Sequence, residues 1–306
     1  MSDASRIRTG ADLALIGVAF IWGVSFVIVK RALPDISVLL YLSVRFTLAT
    51  VAMAFLYRRQ IAAGFSKQQW LAGLATGALL MGGYILQTVG LTYTTPAKSA
   101  FLTGLYIVLV PLFSSLIYRS TPRLVELLGV AAAAAGMYFL SVTGGGLRIA
   151  LGDSLTIACA AVYALHILTL GYFAPKTGYV SISLLQVSTA CVVAWVAYGV
   201  WTLASNEAAA VRWTPEVLTA IVVGGLLCTA VAFTVQSWAQ QFTTATRAAL
   251  LMSLELVFAW IASYLFEGEV LSMRSAIGAV LIMAGILLVE LKPSTIMGHP
   301  SNEPRP

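Results

Sequence analysis

The chain has 306 residues, of which 59% are apolar and only 10% charged, and its mean hydropathy is +0.91. Soluble domains average about 45–50% apolar and about 25% charged residues, so a water-soluble fold is excluded and the composition is that of a polytopic membrane protein. A net charge of +6 and a pI near 9.3 do not point to a nucleic-acid partner, because Lys and Arg are spread singly and form no basic stripe.

The N-terminal residues Met1 to Arg8 lead into an apolar run too long for a signal-peptide h-region and without a cleavage pattern, so this run is expected to remain as the first span. Crossing a hydrocarbon core of roughly 30 Å takes about 18 or more apolar residues. Cutting the chain at charges, prolines and glycines predicts ten spans: 11–29, 36–57, 69–92, 97–118, 124–142, 153–173, 179–203, 216–241, 246–266 and 274–291. The connections are short; the longest, around Ala204 to Trp213, holds Asn206, Glu207 and Arg212. The polar, proline-rich tail from Pro293 to Pro306 is expected to be disordered. Cys159, Cys191 and Cys228 lie inside apolar segments without a CxxC pair and read as small core residues, with neither a disulfide framework nor a zinc site.

Outside the spans, eleven basic residues fall at the N-terminus, in the even-numbered loops and in the tail: Arg6, Arg8, Arg58, Arg59, Lys67, Arg119, Arg123, Lys176, Arg247, Lys292 and Arg305. The other side holds six, Lys30, Arg31, Lys98, Arg148, Arg212 and Arg274. The positive-inside rule therefore puts both termini in the cytoplasm, in keeping with an even helix count.

Laying 84–142 on 233–291, an offset of 236 − 87 = 149, matches Gln87 with Gln236. It also matches Thr94-Thr95 with Thr243-Thr244, Lys98 with Arg247, Ala100 with Ala249, Gly129 with Gly278 and Ala135-Gly136 with Ala284-Gly285. Upstream, an offset of 153 − 12 = 141 pairs Asp12 with Asp153, Trp22 with Tyr163, Pro34 with Pro175 and Arg45 with Gln186. This is the pattern of a duplication. Five spans per unit is odd, so the units are inverted, a plan of secondary transporters with the substrate site near the midplane at the repeat interface. The predicted units are residues 1–148 and 149–292, with 293–306 as a cytoplasmic tail. The expected fold is an all-α polytopic membrane protein of ten transmembrane helices in two inverted five-helix repeats around a central cavity.

Several short stretches sharpen this reading. Trp22-Gly23-x-Ser25-Phe26, Leu42-x-x-Arg45-Phe46, Tyr93-Thr94-x-x-Ala97 and Val110-Pro111-Leu112 in the first half resemble EamA-type members of the drug/metabolite transporter superfamily. So do Leu254-Glu255-x-Val257-Phe258-Ala259, Gly268-Glu269-x-Leu271 and Ile277-Gly278-Ala279 to Ala284-Gly285 in the second. The resemblance covers nearly the whole chain and is greatest to the bacterial YddG-type aromatic amino acid exporters. It implies ten helices in two inverted repeats and export of metabolites across the inner membrane. The chain departs from the pattern where Arg119-Ser-Thr-Pro122 stands opposite Glu267-Gly-Glu269, and where Leu256 occupies the place of a proline after the glutamate.

Among candidate functional residues, Arg45 lies near the middle of its span, and Glu255 is the only acid at comparable depth. Either they form a midplane pair or proton-responsive switch that couples transport, or Arg45 bonds backbone carbonyls while Glu255 faces a wet cavity. Lys98 and Arg247 each follow a Thr-Thr pair suited to capping the next helix, where a cation opposes the macrodipole. They either steer a carboxylate toward opposite openings or contact headgroups and set topology. In span eight, Thr229, Phe233, Gln236 and Gln240 recur on one helix face, Tyr84 and Gln87 repeat its centre in span three, and Cys159, Tyr163 and His166 form a similar face in span six. The expected pocket is lined by Trp22, Tyr84, Gln87, Tyr106, Tyr163, His166, Gln236 and Trp238, with aromatics packing on the substrate and amides fixing its polar end. His166 alternatively bonds a neighbouring helix, and Trp238 alternatively belongs to an interfacial belt. Gly73-x-x-x-Gly77 reads as packing, Gly82-Gly83 as a hinge, and Pro111 as the site of a kink.

An intramembrane enzyme requires a nucleophile with a base or a metal cluster at membrane depth; no HExxH or GxSxG occurs, and His166 is the only histidine in a span. No cofactor, nucleic acid or obligate protein partner is implied; the partners are a small-molecule substrate and the lipid bilayer. The alternatives to an aromatic amino acid exporter are a carrier of other metabolites or drugs, phosphorylated and sugar-like ones included, and a channel-like facilitator.

Overall fold

The structure, a computed structural model, describes residues 3–117, 124–141, 149–205 and 211–290. These residues are almost entirely helical, with one isolated antiparallel bridge between Ile36 and Val211. Ten helical units follow the chain: α1 Asp3–Ala32, α2 Val38–Leu56, α3 Lys67–Thr92, α4 Pro96–Ile117, α5 Leu124–Ser141, α6 Leu151–Thr177, α7 Tyr179–Ser205, α8 Pro215–Ala239, α9 in two pieces, Ala245–Met252 and Leu254–Glu267, and α10 Met273–Glu290. A short helix, Arg58–Ala63, lies between α2 and α3.

Among the described residues, eight of these units are long and apolar enough to cross a membrane, so the protein is a multi-pass membrane protein. The expected count of ten is not reached by this measure. Helices α5 and α10 stand where the fifth and tenth spans were expected, but their described apolar stretches, Leu127–Gly136 and Met273–Gly285, are shorter. Arg119, Arg123, Arg148, Asn206, Glu207 and the tail after Glu290 lie outside the described residues.

Side-chain caps start several units. Ser66 and Gln69 form a reciprocal capping box at α3, and Thr95, Thr214 and Thr244 accept from the backbone N–H three residues on at α4, α8 and α9. Pro96 and Pro215 follow two of these caps in the first turn, where a missing N–H costs nothing.

The halves pack mainly on each other, and the pairings repeat under exchange of the halves. Helix α1 lies on α9 as α6 lies on α4, α3 packs on α6 as α8 packs on α1, and α3 meets α7 as α8 meets α2. The α5–α10 crossing is reciprocal at the atomic level: a Cβ on Gly136 would lie 2.5 Å from Gly278 O, and one on Gly285 would lie 2.6 Å from Gly129 O. The equivalent glycines Gly136 and Gly285 are thus each seated on one of a second equivalent pair, Gly278 and Gly129, in the opposite helix. Gly73 and Gly77 likewise seat α3 on Leu185, Gln186 and Thr189 of α7.

Two expectations about bending differ from what is found. Helix α4 is interrupted at Gly104 and Leu105, between Pro96–Thr103 and Tyr106–Ile117, and Pro111 lies inside the second piece. Helix α9 is interrupted at Ser253, and 253 − 104 = 149 is the repeat offset. The breaks therefore belong to the repeat and not to the proline, which has no counterpart in α9. Helix α3 runs unbroken through Gly82 and Gly83; a Cβ on Gly83 would fall 2.2 Å from the Tyr163 ring, so this glycine makes room for an aromatic and marks no hinge.

Replacing Gly136 with Val forces α5 from α10, and overpacking of this kind costs about 1–3 kcal/mol. Thermal unfolding in detergent is expected to show a clear fall in Tm for Gly136→Val and none for Gly199→Ala, where an added Cβ meets nothing within 4 Å.

Candidate functional site

A partly open cavity lies between the halves, with walls from α1, α2, α3, α4, α6, α8 and α9. Twelve of its eighteen lining residues fall into repeat-equivalent pairs. The 141 offset relates Trp22 to Tyr163, Ser25 to His166 and Phe26 to Ile167; the 149 offset relates Tyr84 to Phe233, Gln87 to Gln236 and Tyr106 to Glu255. All twelve residues line the cavity.

Phe233 is the hub of the aromatic wall. Its ring centroid lies 5.3 Å from Trp22, 6.2 Å from Tyr84 and 6.1 Å from the His166 ring, the last two edge-on. Tyr84 also meets Tyr163 and Phe46 edge-on at 6.0 and 5.2 Å.

Arg45 is consumed by the protein. Its Nε donates to Gly224 O at 3.1 Å and Thr229 Oγ1 at 3.0 Å, Nη2 donates to the Tyr84 hydroxyl at 3.0 Å, and Nη1 approaches the Tyr41 hydroxyl at 3.4 Å. The guanidinium carbon lies 4.6 Å from the Tyr84 ring centroid. Gly224 and Thr229 belong to a π-helical stretch, Val223–Val231, inside α8. Trp22 Nε1 donates to Cys228 O of that stretch at 2.9 Å. Arg45 and Trp22 thus hold a segment whose widened turn departs from regular α-helix.

Glu255 is in the opposite condition. It is 4% exposed, it lines the cavity, and no ion pair reaches it among the described residues. It lies beside the Tyr106 phenol, whose buried hydroxyl makes no hydrogen bond of ordinary geometry. Each of these residues sits in the first turn after its helix break, Tyr106 opening the second piece of α4 and Glu255 following Ser253 in α9. A helix N-terminus favours a carboxylate by about 0.3–1 kcal/mol, up to about 2. An acid at the centre of a span costs about 2.5–3.5 kcal/mol on insertion scales, so the break alone does not compensate a charged Glu255.

The remaining polar groups form two bridges, one between the halves and one within the second half. Tyr163 donates to Gln87 Oε1 at 3.3 Å, and Gln87 Nε2 donates to Thr103 Oγ1 at 3.3 Å. Gln186 donates through Nε2 to Ser237 Oγ at 3.1 Å, which leaves its Oε1 to accept from His166 Nε2 at 3.0 Å. Gln236 Oε1 is buried without a partner. Among the described residues no group of three or more His, Cys, Asp or Glu is placed to hold a metal ion.

At the two ends of the helices stand equivalent ion pairs across the halves. Lys98 Nζ lies 2.7 Å from Asp153 Oδ2, and Arg247 Nη2 lies 2.7 Å from Asp12 Oδ2. Asp12 is at the α1 N-terminal end; Lys30, at the other end about 27 Å away along the helix, donates to Leu91 O, Thr92 O and Thr94 O. That end also carries Arg31–Glu267 and Arg212–Asp35, both at 2.5 Å.

The EamA-like transporter family matches the chain twice, over residues 9–142 and 150–291. The chain belongs to the EamA-like transporter family. An uncharacterized transporter of Archaeoglobus fulgidus is 32% identical over 93% of this chain and 87% of its own length. The uncharacterized transporter YvbV of Bacillus subtilis is 25% identical over 95% and 94%. A solved structure titled only "Crystal structure of protein" superposes with a TM-score of 0.64 at 18% identity, covering 92% of this chain and 97% of its own, and shares the fold.

Within this EamA-like chain, seven of the eight residues expected to line a pocket do so: Trp22, Tyr84, Gln87, Tyr106, Tyr163, His166 and Gln236. Trp238 does not; it meets Phe242 edge-on at 5.5 Å, because two residues along a helix turns the side chain by about 200° away from Gln236. Arg45 and Glu255 both face the cavity without pairing with each other. Lys98 and Arg247 are at helix starts as expected, but each is engaged by an aspartate. Sequence reading did not place Ser25, Phe26 and Phe233 in the lining, although the repeat offsets map each onto another residue of the wall.

Arg45→Lys keeps the charge but loses the fork that reaches Gly224, Thr229 and Tyr84 together. Leaving buried acceptors short of donors costs about 1–3 kcal/mol, so thermal unfolding is expected to show a lower Tm than wild type and Arg45→Lys to be milder than Arg45→Leu.

Proposed function

We propose that this protein is a secondary transporter that exports small amphiphilic metabolites, aromatic amino acids foremost, across the bacterial inner membrane by alternating access. In this reading α5 and α10 cross the membrane with the other eight units, the two five-helix halves are inverted, and both termini are cytoplasmic. One observation carries it: the cavity lies between the halves, and twelve of its eighteen lining residues form repeat-equivalent pairs. A site so built presents related surfaces toward both ends, which is what a carrier that opens in turn to each side requires. Aromatic walls with few polar groups suit a ring-bearing solute of moderate size.

The end pairs fit the same reading. Lys98–Asp153 serves as a latch on the outer side and Arg247–Asp12 as its counterpart on the inner side. Arg247–Asp12 is partly exposed, and such pairs are worth about 1 kcal/mol or less, small enough to be broken and remade in each cycle; Lys98–Asp153 sets a partly exposed lysine on a buried aspartate and costs more to break.

Proteoliposomes loaded with unlabelled phenylalanine or tryptophan are expected to accumulate trace external label saturably, with aromatic amino acids the best competitors. A flux that neither saturates nor shows counterflow would mean a pore. For the latches, Ser25→Cys in a cysteine-free background is expected to be labelled faster by an impermeant outer-side thiol reagent when combined with Asp153→Asn, and more slowly with Asp12→Asn. Equal labelling in all three would remove the latches.

A further inference from the structure

The cavity holds two buried charge-bearing side chains whose surroundings differ. Arg45 is engaged by Gly224 O, Thr229, Tyr41 and Tyr84, so its guanidinium belongs to the packing of α2 on the π-helical stretch. Glu255 meets no cation among the described residues, and the four ion pairs there all lie at helix ends. Beside it lies the buried Tyr106 hydroxyl, which makes no hydrogen bond of ordinary geometry, and Gln236, 1% exposed on the same cavity, leaves its Oε1 without a partner.

The polar groups left over by the protein are therefore rich in acceptors. They comprise a carboxylate, an amide whose Oε1 accepts and whose Nε2 donates, and one hydroxyl able to accept or donate, and they carry no positive charge. Buried groups of this kind need a partner, and the helix N-terminus that carries Glu255 supplies only part of the compensation. The facing walls, Trp22, Tyr84, Tyr163 and Phe233, offer aromatic faces that attract cations and apolar rings alike.

We propose that the cavity recognises a protonated amine on an apolar or aromatic body, with the ammonium held by Glu255 and Tyr106 and the body packed against Trp22 and Phe233. Arg45 is not a clamp for a ligand carboxylate. The amino group is the part of an aromatic amino acid that is read, and the corresponding monoamine is taken at least as well. The movement of such ligands rests on the carrier reading above; their binding does not.

The test uses the full-length protein and four probes that share one ring: 2-phenylethylamine, phenylalanine, 3-phenylpropionate and 2-phenylethanol. Calorimetric titration is expected to rank the amine at or above phenylalanine, with the acid and the alcohol weaker by about ten-fold or more. Glu255→Gln is expected to weaken the amine by about ten-fold, and Tyr106→Phe, which keeps the carboxylate, by about three-fold. The wild-type ranking decides the matter by itself if the Gln variant does not fold. An acid that binds as well as the amine, a folded Glu255→Gln protein with undiminished amine affinity, or no binding of any probe overturns the proposal. Amine binding that depends on Glu255 without counterflow supports the site and overturns the carrier reading. Phenylalanine counterflow with no preference for amine over acid overturns the site and leaves the carrier reading standing.

Discussion

A chain that folds in hydrocarbon has no water to satisfy its polar groups, so each must find a partner inside the protein or line a cavity. Most of this chain meets the requirement by regular helix. The exceptions are the breaks at Gly104 and Ser253, which border the cavity between the halves, and the π-helical stretch Val223–Val231, which is held by Arg45 and Trp22 of the cavity wall. The irregular backbone and the cavity explain each other. An interrupted helix facing lipid is excluded, and a cavity walled only by regular apolar helices offers nothing to hold a polar solute.

Duplication supplies this arrangement, and divergence gives it direction. Gly136 and Gly285 keep the α5–α10 crossing reciprocal, because a side chain at either place collides with the opposite carbonyl. Lys98–Asp153 and Arg247–Asp12 keep equivalent charge pairs at the two ends. In the cavity the same registers have drifted apart. Arg45 stands opposite Gln186, and Tyr106 opposite Glu255. Arg45 anchors the π-helical stretch of α8, whereas Gln186 bridges His166 to Ser237, and α3, the counterpart of α8, remains a regular helix. Packing positions at the crossings tolerate little change in volume, while a cavity wall tolerates changes of chemistry.

The extent to which the sequence disclosed this follows from what each signal measures. Hydropathy gave ten spans, of which eight are met among the described residues by helices with the length and composition of a crossing, and the repeat offsets related residues of the pocket before any contact was known. Helical periodicity placed Phe233 and Gln236 on one face, and they share the cavity wall. Trp238 was misplaced because composition favoured an aromatic where helix geometry turns it away. The kink assigned to Pro111 falls instead at Gly104, since proline is a local signal and the break is a property of the repeat. The acids at span ends, Asp12 and Asp153, gave no hint of their partners, because an ion pair across the halves depends on tertiary placement that neither periodicity nor charge counting carries.

At Glu255 a helix break and the cavity wall coincide. A residue in the first turn of the second piece of α9 is held by that piece, yet it borders the turn at which the first piece ends. Tyr106 is placed in the same way in α4, so the two residues that face each other belong to two broken helices, one from each half. Any solute that bridges them touches both halves at the points where their helices are least constrained by continuous hydrogen bonding. Coupling between an occupied site and the relative position of the halves then requires no relay through packed side chains, because the ligand itself is the contact that differs between one arrangement and the other.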